Sequence, residues 1–402
     1  MLSPEARPYI DASVPVLREH GLAITRTFYS NMFAEHPELT QIFNMGNQAS
    51  GAQQQSLASA VFAYAANIDN PDALAPVVSR IVHKHASVGI TAHHYPIVGR
   101  HLLGAIKQTL GDAATPDLLS AWGEAYESLA NAFIEEERKL YQQAGIQPGQ
   151  FLNMRVEAVL QQSANVRSFV LACADGSPVP EFQPGQYVTV EVRLADGLRQ
   201  LRQYSLSDAP ETGRLRISVK REEAGEETPA GQVSNWLHDF LLPGATLRIS
   251  PPFGDFTPDV DGTGDIVLLS AGVGITPMVS ALNTIAARHP QRRVIFGHAA
   301  RDVRHHAHRI DVAAARNAMA QLQVVTFYET LPTDTQTLVG EVKGGFMQPT
   351  ALPQWEYSVT PVYMCGPLPF MHAQWKALVG MGVPPERIHR EVFGPDMLDH
   401  LI

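Results

Sequence analysis

The chain has 402 residues, 45% apolar and 17% charged, a size that suits about two or three hydrophobic cores. That composition excludes a disordered chain, a collagen-like repeat and a coiled coil. Forty acidic against 30 basic side chains leave a formal charge of −10, so neither nucleic acid nor an anionic membrane surface is recruited by bulk electrostatics. Two cysteines, Cys173 and Cys365, are too few for a disulfide framework or a thiolate metal cage and suit a reducing compartment. Residues 1–8 lack a basic start followed by an apolar core, and the uncharged stretch 266–287 is broken by Gly272, Gly274 and Pro277. A cytoplasmic protein without integral membrane contact is expected.

Up to about residue 145 the apolar residues follow helical spacing. Ile97, Val98, Leu102, Ile106 and Leu110 mark one helix, and Leu118, Leu119, Trp122, Tyr126, Leu129 and Phe133 mark another. Pro96 and Pro116 stand where first turns begin. Between the two histidines of residues 81–88, neighbours three and four away decide which faces inward. His85 has Ile81, Val82, Val88 and Gly89, whereas His83 has Ser79, Arg80, Ala86 and Ser87, so His85 points to the core. By the same test Glu137, flanked by Phe133, Ile134, Leu140 and Tyr141, lies on an apolar face. A buried carboxylate there needs a donor. A core histidine bonded to a carbonyl and a snorkelling glutamate are the competing readings.

Residues 143–150 have linker composition, and short alternating runs such as 187–192 and 215–220 follow, separated by turn dipeptides. From about residue 262, buried-type strands at 266–269, 293–296, 323–327 and 362–364 alternate with helical stretches, which predicts a parallel α/β layer. Asp265 leads a strand into Gly272, Val273, Gly274, Ile275, Thr276 and Pro277, a Gly-rich turn opening a helix. Such a turn brings backbone close to a dinucleotide, although a bare pair of glycines is also a common tight turn.

Residues 28–45 and 53–57, His85 and the run Tyr95-Pro-Ile-Val-Gly99 together resemble a bacterial haemoglobin, specifically the globin domain of flavohaemoglobins. The resemblance implies that His85 is the proximal ligand of haem b iron and that Phe43 packs on the porphyrin. It puts Tyr29, Gln53 and Leu57 in the distal pocket, and Tyr95 and Glu137 at the positions that hold the proximal imidazole. Lys84 beside the ligand is a candidate for adjusting the haem potential, or simply a solvated lysine.

Pro184-Gly-Gln-Tyr187, the run Arg202-Gln203-Tyr204-Ser205, residues 219–222 and Gly231-Gln232-Val233-Ser234 form an ordered set that resembles the flavin barrel of the ferredoxin-reductase superfamily. That likeness implies Arg202 on an FAD phosphate, Tyr204 against the isoalloxazine and Ser205 at its reactive nitrogen. The helix opened by Gly231 would offer N–H groups to a pyrophosphate. An insertion, 224–229, lies beside this loop. The Thr276-Pro277 ending and the run Cys365-Gly366-Pro367 resemble the same superfamily's NADH- or NADPH-binding signatures. Glu391-Val392-Phe393-Gly394-Pro395 resembles the segment whose aromatic ring, here Phe393, covers the flavin. Arg390 replaces the aromatic residue of close relatives, and Arg301, after the second strand of the layer, is a candidate 2′-phosphate contact.

The expected architecture is therefore multidomain: an all-α globin (1–142), a linker (143–150), an antiparallel β-barrel FAD domain (151–260) and an α/β parallel-sheet NAD(P) domain (261–402). A nicotinamide gives two electrons and haem iron takes one, a mismatch that a flavin resolves. The family resemblance implies a nitric oxide dioxygenase using O2, NO and NAD(P)H, with no obligate protein partner. An NAD(P)H diaphorase or oxidase and an oxygen- or NO-sensing haem protein are the alternatives.

Overall fold

The computed structural model describes residues 2–68, 70–225, 228–333 and 338–394. The chain forms two compact units. The first runs to Phe151 and takes in Ala195–Leu201 and Gly394, and the second comprises Leu152–Leu194 with Arg202–Phe393.

Six helices build the first unit: α1 (Arg7–Glu35), α2 (Met45–Ala49), α3 (Ala52–Ala66), α4 (Pro71–Val88), α5 (His94–Leu110) and α6 (Pro116–Gln143). Local chemistry sets their ends. Thr115 caps α6 by accepting from Leu118 N–H at 3.2 Å, with Pro116 pre-set in the first turn. Gly89, at φ 83°, stops α4 in the left-handed conformation that glycine adopts without penalty. Ile10, Leu17, Ile24, Phe28, Met32, Leu102, Ile106 and Trp122 fill the core between α1, α5 and α6.

The second unit holds two six-stranded sheets. The first contains β1 (Leu152–Gln161), β2 (Val166–Cys173), β3 (Tyr187–Arg193), β4 (Arg199–Ser205), β5 (Leu215–Lys220) and β6 (Thr246–Ile249), in the order β4-β3-β6-β1-β2-β5. Its β1–β2, β1–β6, β2–β5 and β3–β6 pairs are antiparallel. The sheet's two ends meet at a single bridge, Leu206 to Ile217, extended by Ser207 N–H donating to the Arg216 carbonyl. The curled sheet stands where the barrel was expected. Helix α7 (Gln232–Phe240) lays Val233 and Leu237 onto its core of Phe169, Leu171, Val188 and Ile217.

The other sheet is parallel throughout: β7 (Ile266–Ala271), β8 (Val294–Ala300), β9 (Leu322–Tyr328), β10 (Glu341–Gly344), β11 (Val362–Cys365) and β12 (Ile388–Glu391), in the order β10-β9-β8-β7-β11-β12. Helices α8 (Ile275–Arg288), α9 (Arg309–Ala318) and α10 (Leu368–Gly380) complete the layer. Because helices cover parallel strands on both faces, β7 is buried along its whole length and side chains alternate between two cores. Ile266 and Leu268 enter one with α8, and Val267 and Leu269 enter the other with Met364, Met371 and Leu378. Among the described residues no helix is long and apolar enough to cross a membrane.

Candidate active site

In the helical unit the inward-facing histidine and glutamate meet. His85 Nδ1 lies 2.8 Å from Glu137 Oε1 and 3.1 Å from the Tyr95 hydroxyl, which itself donates to Glu137 Oε1 at 2.5 Å. Glu137 is 2% exposed, so its charge is offset by these two donors. Burial, followed by the adjacent Glu137 charge, holds the Tyr95 phenol far above its usual pKa, and it stays a donor. Phe133 stands edge-on to the imidazole at 6.0 Å. Tyr126 donates to the Tyr95 carbonyl at 2.7 Å, a positioning contact that sequence reasoning read only as helix periodicity.

With Nδ1 engaged, His85 Nε2 has no hydrogen-bond partner among the described residues and suits a metal. Phe43, Leu57, Ile81 and Val98, apolar side chains of the interior pattern, are only partly buried. A free imidazole nitrogen and unfilled apolar surface fit a haem. Tyr29 packs among Phe28 (4.8 Å), Phe33 (5.7 Å) and Phe43 (5.8 Å). Burial raises its pKa strongly, opposed by the side-chain amides of Gln53 and Gln48 facing the phenol. Gln53 and Leu57 share one face of α3, one turn apart. Lys84 Nζ donates to the Gly394 carbonyl at 2.8 Å.

Helices α7 to α10 of the second unit all start without a side-chain cap, and two of them, α7 and α8, start directly after a glycine, Gly231 and Gly274. Their free N–H groups suit phosphates. At α7, a Cβ on Gly231 would lie 2.6 Å from Ser234 Oγ and 2.9 Å from Glu222 Cβ, so the turn before Gln232 and Val233 admits only glycine. Arg202 and Tyr204 point to one face of β4 and are half-buried, with Gln203 exposed opposite and Ser205 buried. Burial lowers the Arg202 pKa and raises that of Tyr204. Tyr187 lines the Gly254 turn, where a Cβ would touch its ring at 3.1 Å. This constellation fits an FAD phosphate and a ring platform. Of the insertion 224–229, Glu226 and Glu227 lie outside the described residues.

The two runs expected to bind the nicotinamide nucleotide converge. Gly272, at φ 55°, turns the chain out of β7. Val273 is half-buried, Ile275, Thr276 and Pro277 are buried, and Thr276 Oγ1 donates to the Val273 carbonyl at 3.0 Å. A Cβ on Gly274 would collide with the Cys365 carbonyl and would lie 2.7 Å from Gly366 N. Cys365 is fully buried and its thiol pKa is pushed well up, by burial first and then by Glu391. It is no reactive nucleophile. Pro367 is exposed. Glu391 and Val392 are buried, while Phe393 is 45% exposed and followed by Gly394 at φ 127°. Pro395 lies outside the described residues. Arg390 is half-buried on β12, and Arg301 follows β8, exposed.

Residues 26–133 match the globin family, 153–257 the oxidoreductase FAD-binding domain and 268–376 the oxidoreductase NAD-binding domain. The fold and these sites define a haem globin fused to a flavin- and nicotinamide-dependent oxidoreductase. The chain is 48% identical over 405 residues to a flavohemoprotein of Bordetella parapertussis, with 98% of this chain and 99% of that protein covered. A Rhizobium meliloti flavohemoprotein is 45% identical over 402 residues, with 99% of each covered. The chain belongs to the flavohemoprotein family. Its structure is similar to the flavohemoglobin of Malassezia yamatoensis with bound FAD and heme, at a TM-score of 0.84 and 30% identity, covering 98% of this chain and 100% of that one. The FAD/NAD-binding domain of a nitric oxide dioxygenase from Vibrio cholerae matches 61% of this chain and 99% of its own length, at a TM-score of 0.56 and 36% identity. Haem, FAD and NAD are thus the cofactors.

Proposed function

We propose that this flavohemoprotein is a nitric oxide dioxygenase that converts NO and O2 to nitrate at the expense of NAD(P)H. When bound, FAD takes a hydride and releases electrons singly, and haem iron supplies the centre at which O2 and NO combine. The observation that carries the reading is the Glu137–His85–Tyr95 grip. Glu137 accepts a hydrogen bond from His85 Nδ1–H, which fixes the tautomer and leaves Nε2 its lone pair. Such an electron-rich ligand suits oxygen activation better than oxygen storage. Tyr29, kept protonated by burial, serves as a hydrogen-bond donor on the distal side, and Phe28, Phe33 and Phe43 fix its ring and exclude water.

Arg202 and the N–H groups of Gln232, Val233 and Ser234 hold the FAD phosphates in this scheme. Tyr204 and Ser205 orient its ring, and the Gly272–Gly274 turn with residues 365–367 seats the dinucleotide. Phe393, on its exposed segment, covers the flavin until nicotinamide arrives. The purified holoprotein, given NO in air, should form about one nitrate per electron drawn from NAD(P)H. NAD(P)H oxidation with no accelerated loss of NO would overturn the proposal. His85→Ala separates it from a diaphorase: dye reduction should persist while NO consumption disappears.

A further inference from the structure

A recess of 340 Å³ opens between α1 and the corner made by α2 and α3, lined in part by Arg26, Tyr29, Ser30, Phe33, Gln48 and Gln54. Tyr29 lines this recess and also belongs to the distal set, so the recess adjoins the side on which haem ligands would react. Its polar groups are unevenly matched. Gln54 Nε2 donates to both Gln48 Oε1 (2.9 Å) and the Gln48 carbonyl (3.2 Å). Gln48 is 8% exposed, and its own Nε2 is left buried without an acceptor, since the Tyr29 phenol that it faces lies outside hydrogen-bonding geometry. A buried amide donor without an acceptor is a strained arrangement that a ligand oxygen relieves.

Arg26 and Ser30 stand one turn apart on the same face of α1, both exposed at the rim. Among the described residues Arg26 has no carboxylate partner. Guanidinium, serine hydroxyl, amide N–H and the protonated Tyr29 phenol are all donors, against the single orphaned acceptor Gln54 Oε1. The chain as a whole carries −10, so its general field repels small anions and a local cation is needed to seat one.

We propose that this recess is a binding subsite for a small inorganic monoanion, nitrate, on its way out of the distal pocket. Nitrate offers three acceptor oxygens to this set of donors, whereas neutral O2 and NO make no use of the Arg26 charge. The inference rests on the nitrate-forming reading above and adds to it a route of product release that discriminates by charge.

Ligand association with the holoprotein tests the subsite without relying on turnover. Azide, an anion, is mixed with the ferric protein, and carbon monoxide, a neutral ligand, with the ferrous protein, each followed in the Soret band. Arg26→Gln should slow azide association about threefold and Arg26→Glu about tenfold, with carbon monoxide rates unchanged in both. Nitrate should slow azide association in the parent protein and do so more weakly in Arg26→Gln. Unaltered azide rates, equal slowing of both ligands, or no competition by nitrate would each overturn the subsite. If the charge-dependent response persists in a protein that makes no nitrate from NO, the dioxygenase reading fails and the anion subsite stands. If nitrate forms normally without that response, only the subsite fails.

Discussion

The Tyr95 hydroxyl and His85 Nδ1 converge on one oxygen of Glu137, at 2.5 Å and 2.8 Å. The carboxylate is thus held by the tyrosine while it polarises the imidazole. Glu137→Gln keeps the shape but removes the charge, and should lower the iron–histidine stretching frequency of the ferrous holoprotein and reduce nitrate formation about 10- to 100-fold. Tyr95→Phe leaves the charge in place and should give a smaller shift in the same direction. Resonance Raman spectra of both variants check the order, and an unchanged frequency in Glu137→Gln would remove the electronic role.

Gly274 owes its identity to the close approach of the Cys365 backbone, since its own φ is −61°. Gly274→Ala forces apart the two loops proposed to seat the nicotinamide nucleotide. We expect a loss of about 1–3 kcal/mol in unfolding free energy of the second unit and a marked slowing of flavin reduction by NADH, with haem binding intact. Gly380→Ala, where a Cβ meets nothing within 4 Å, is the control. Equal flavin-reduction rates in the two variants would contradict this account.

Arg216, on β5, reaches Asp311 on α9 at 2.8 Å and also donates to the Ser207 carbonyl. His308, at φ 60°, bridges Asp311 (2.8 Å) and Ser218 (2.9 Å) behind it. Burial works against the Asp311 charge, but the His308 hydrogen bond and Arg216 outweigh it and hold the carboxyl at about 2. Arg216→Leu leaves that carboxylate buried without its cation and should cost about 3–5 kcal/mol, read as the urea midpoint of flavin release. Asp311 adds stability that is complete above its unfolded pKa and is lost as pH falls from 3.8 to about 2. Without Arg216 the buried Asp311 carboxyl takes up its proton at a higher pH than in the parent, so the Arg216→Leu penalty should shrink progressively as the pH falls through the acid range.

Periodicity made much of this architecture legible. The inward side of His85 and Glu137 followed from their neighbours at three and four positions, because a helix places those on one face. The buried strands β7 and β11 showed as short apolar runs. Contacts between residues distant in sequence were not legible. Nothing near Arg216 signals Asp311, and Gly274 does not reveal that Cys365 lies over it. Arg26 and Gln48 are ordinary polar residues in sequence, and only the packing of α1 against α2 and α3 leaves one cationic at a rim and the other short of an acceptor. The alternating runs foretold the antiparallel sheet but not its closure, where Leu206 after β4 meets Ile217 on β5, since alternation specifies two faces and not how the edges come together.

His298 on β8 and His306 stack at 4.5 Å, each holding one partner through Nδ1: Ser270 Oγ at 2.9 Å and the Tyr328 hydroxyl at 2.7 Å. Both Nε2 atoms are buried without a partner, so a charge on either ring is unsupported. Burial pushes the His298 pKa down to about 3, and burial followed by His298 pushes that of His306 well below the usual value. The unfolded chain therefore takes up protons first. Each histidine's contribution is complete above about pH 6.5 and falls by about 1.4 kcal/mol per pH unit below it, until the folded pKa is reached. Urea midpoints of flavin release should drop steeply between pH 7 and 5, and the double variant His298→Leu, His306→Leu should flatten that slope even if it is less stable at pH 7. Buried His308, whose pKa is also lowered, keeps the slope from vanishing. An identical slope in parent and double variant would show that the stacked pair does not couple proton uptake to unfolding.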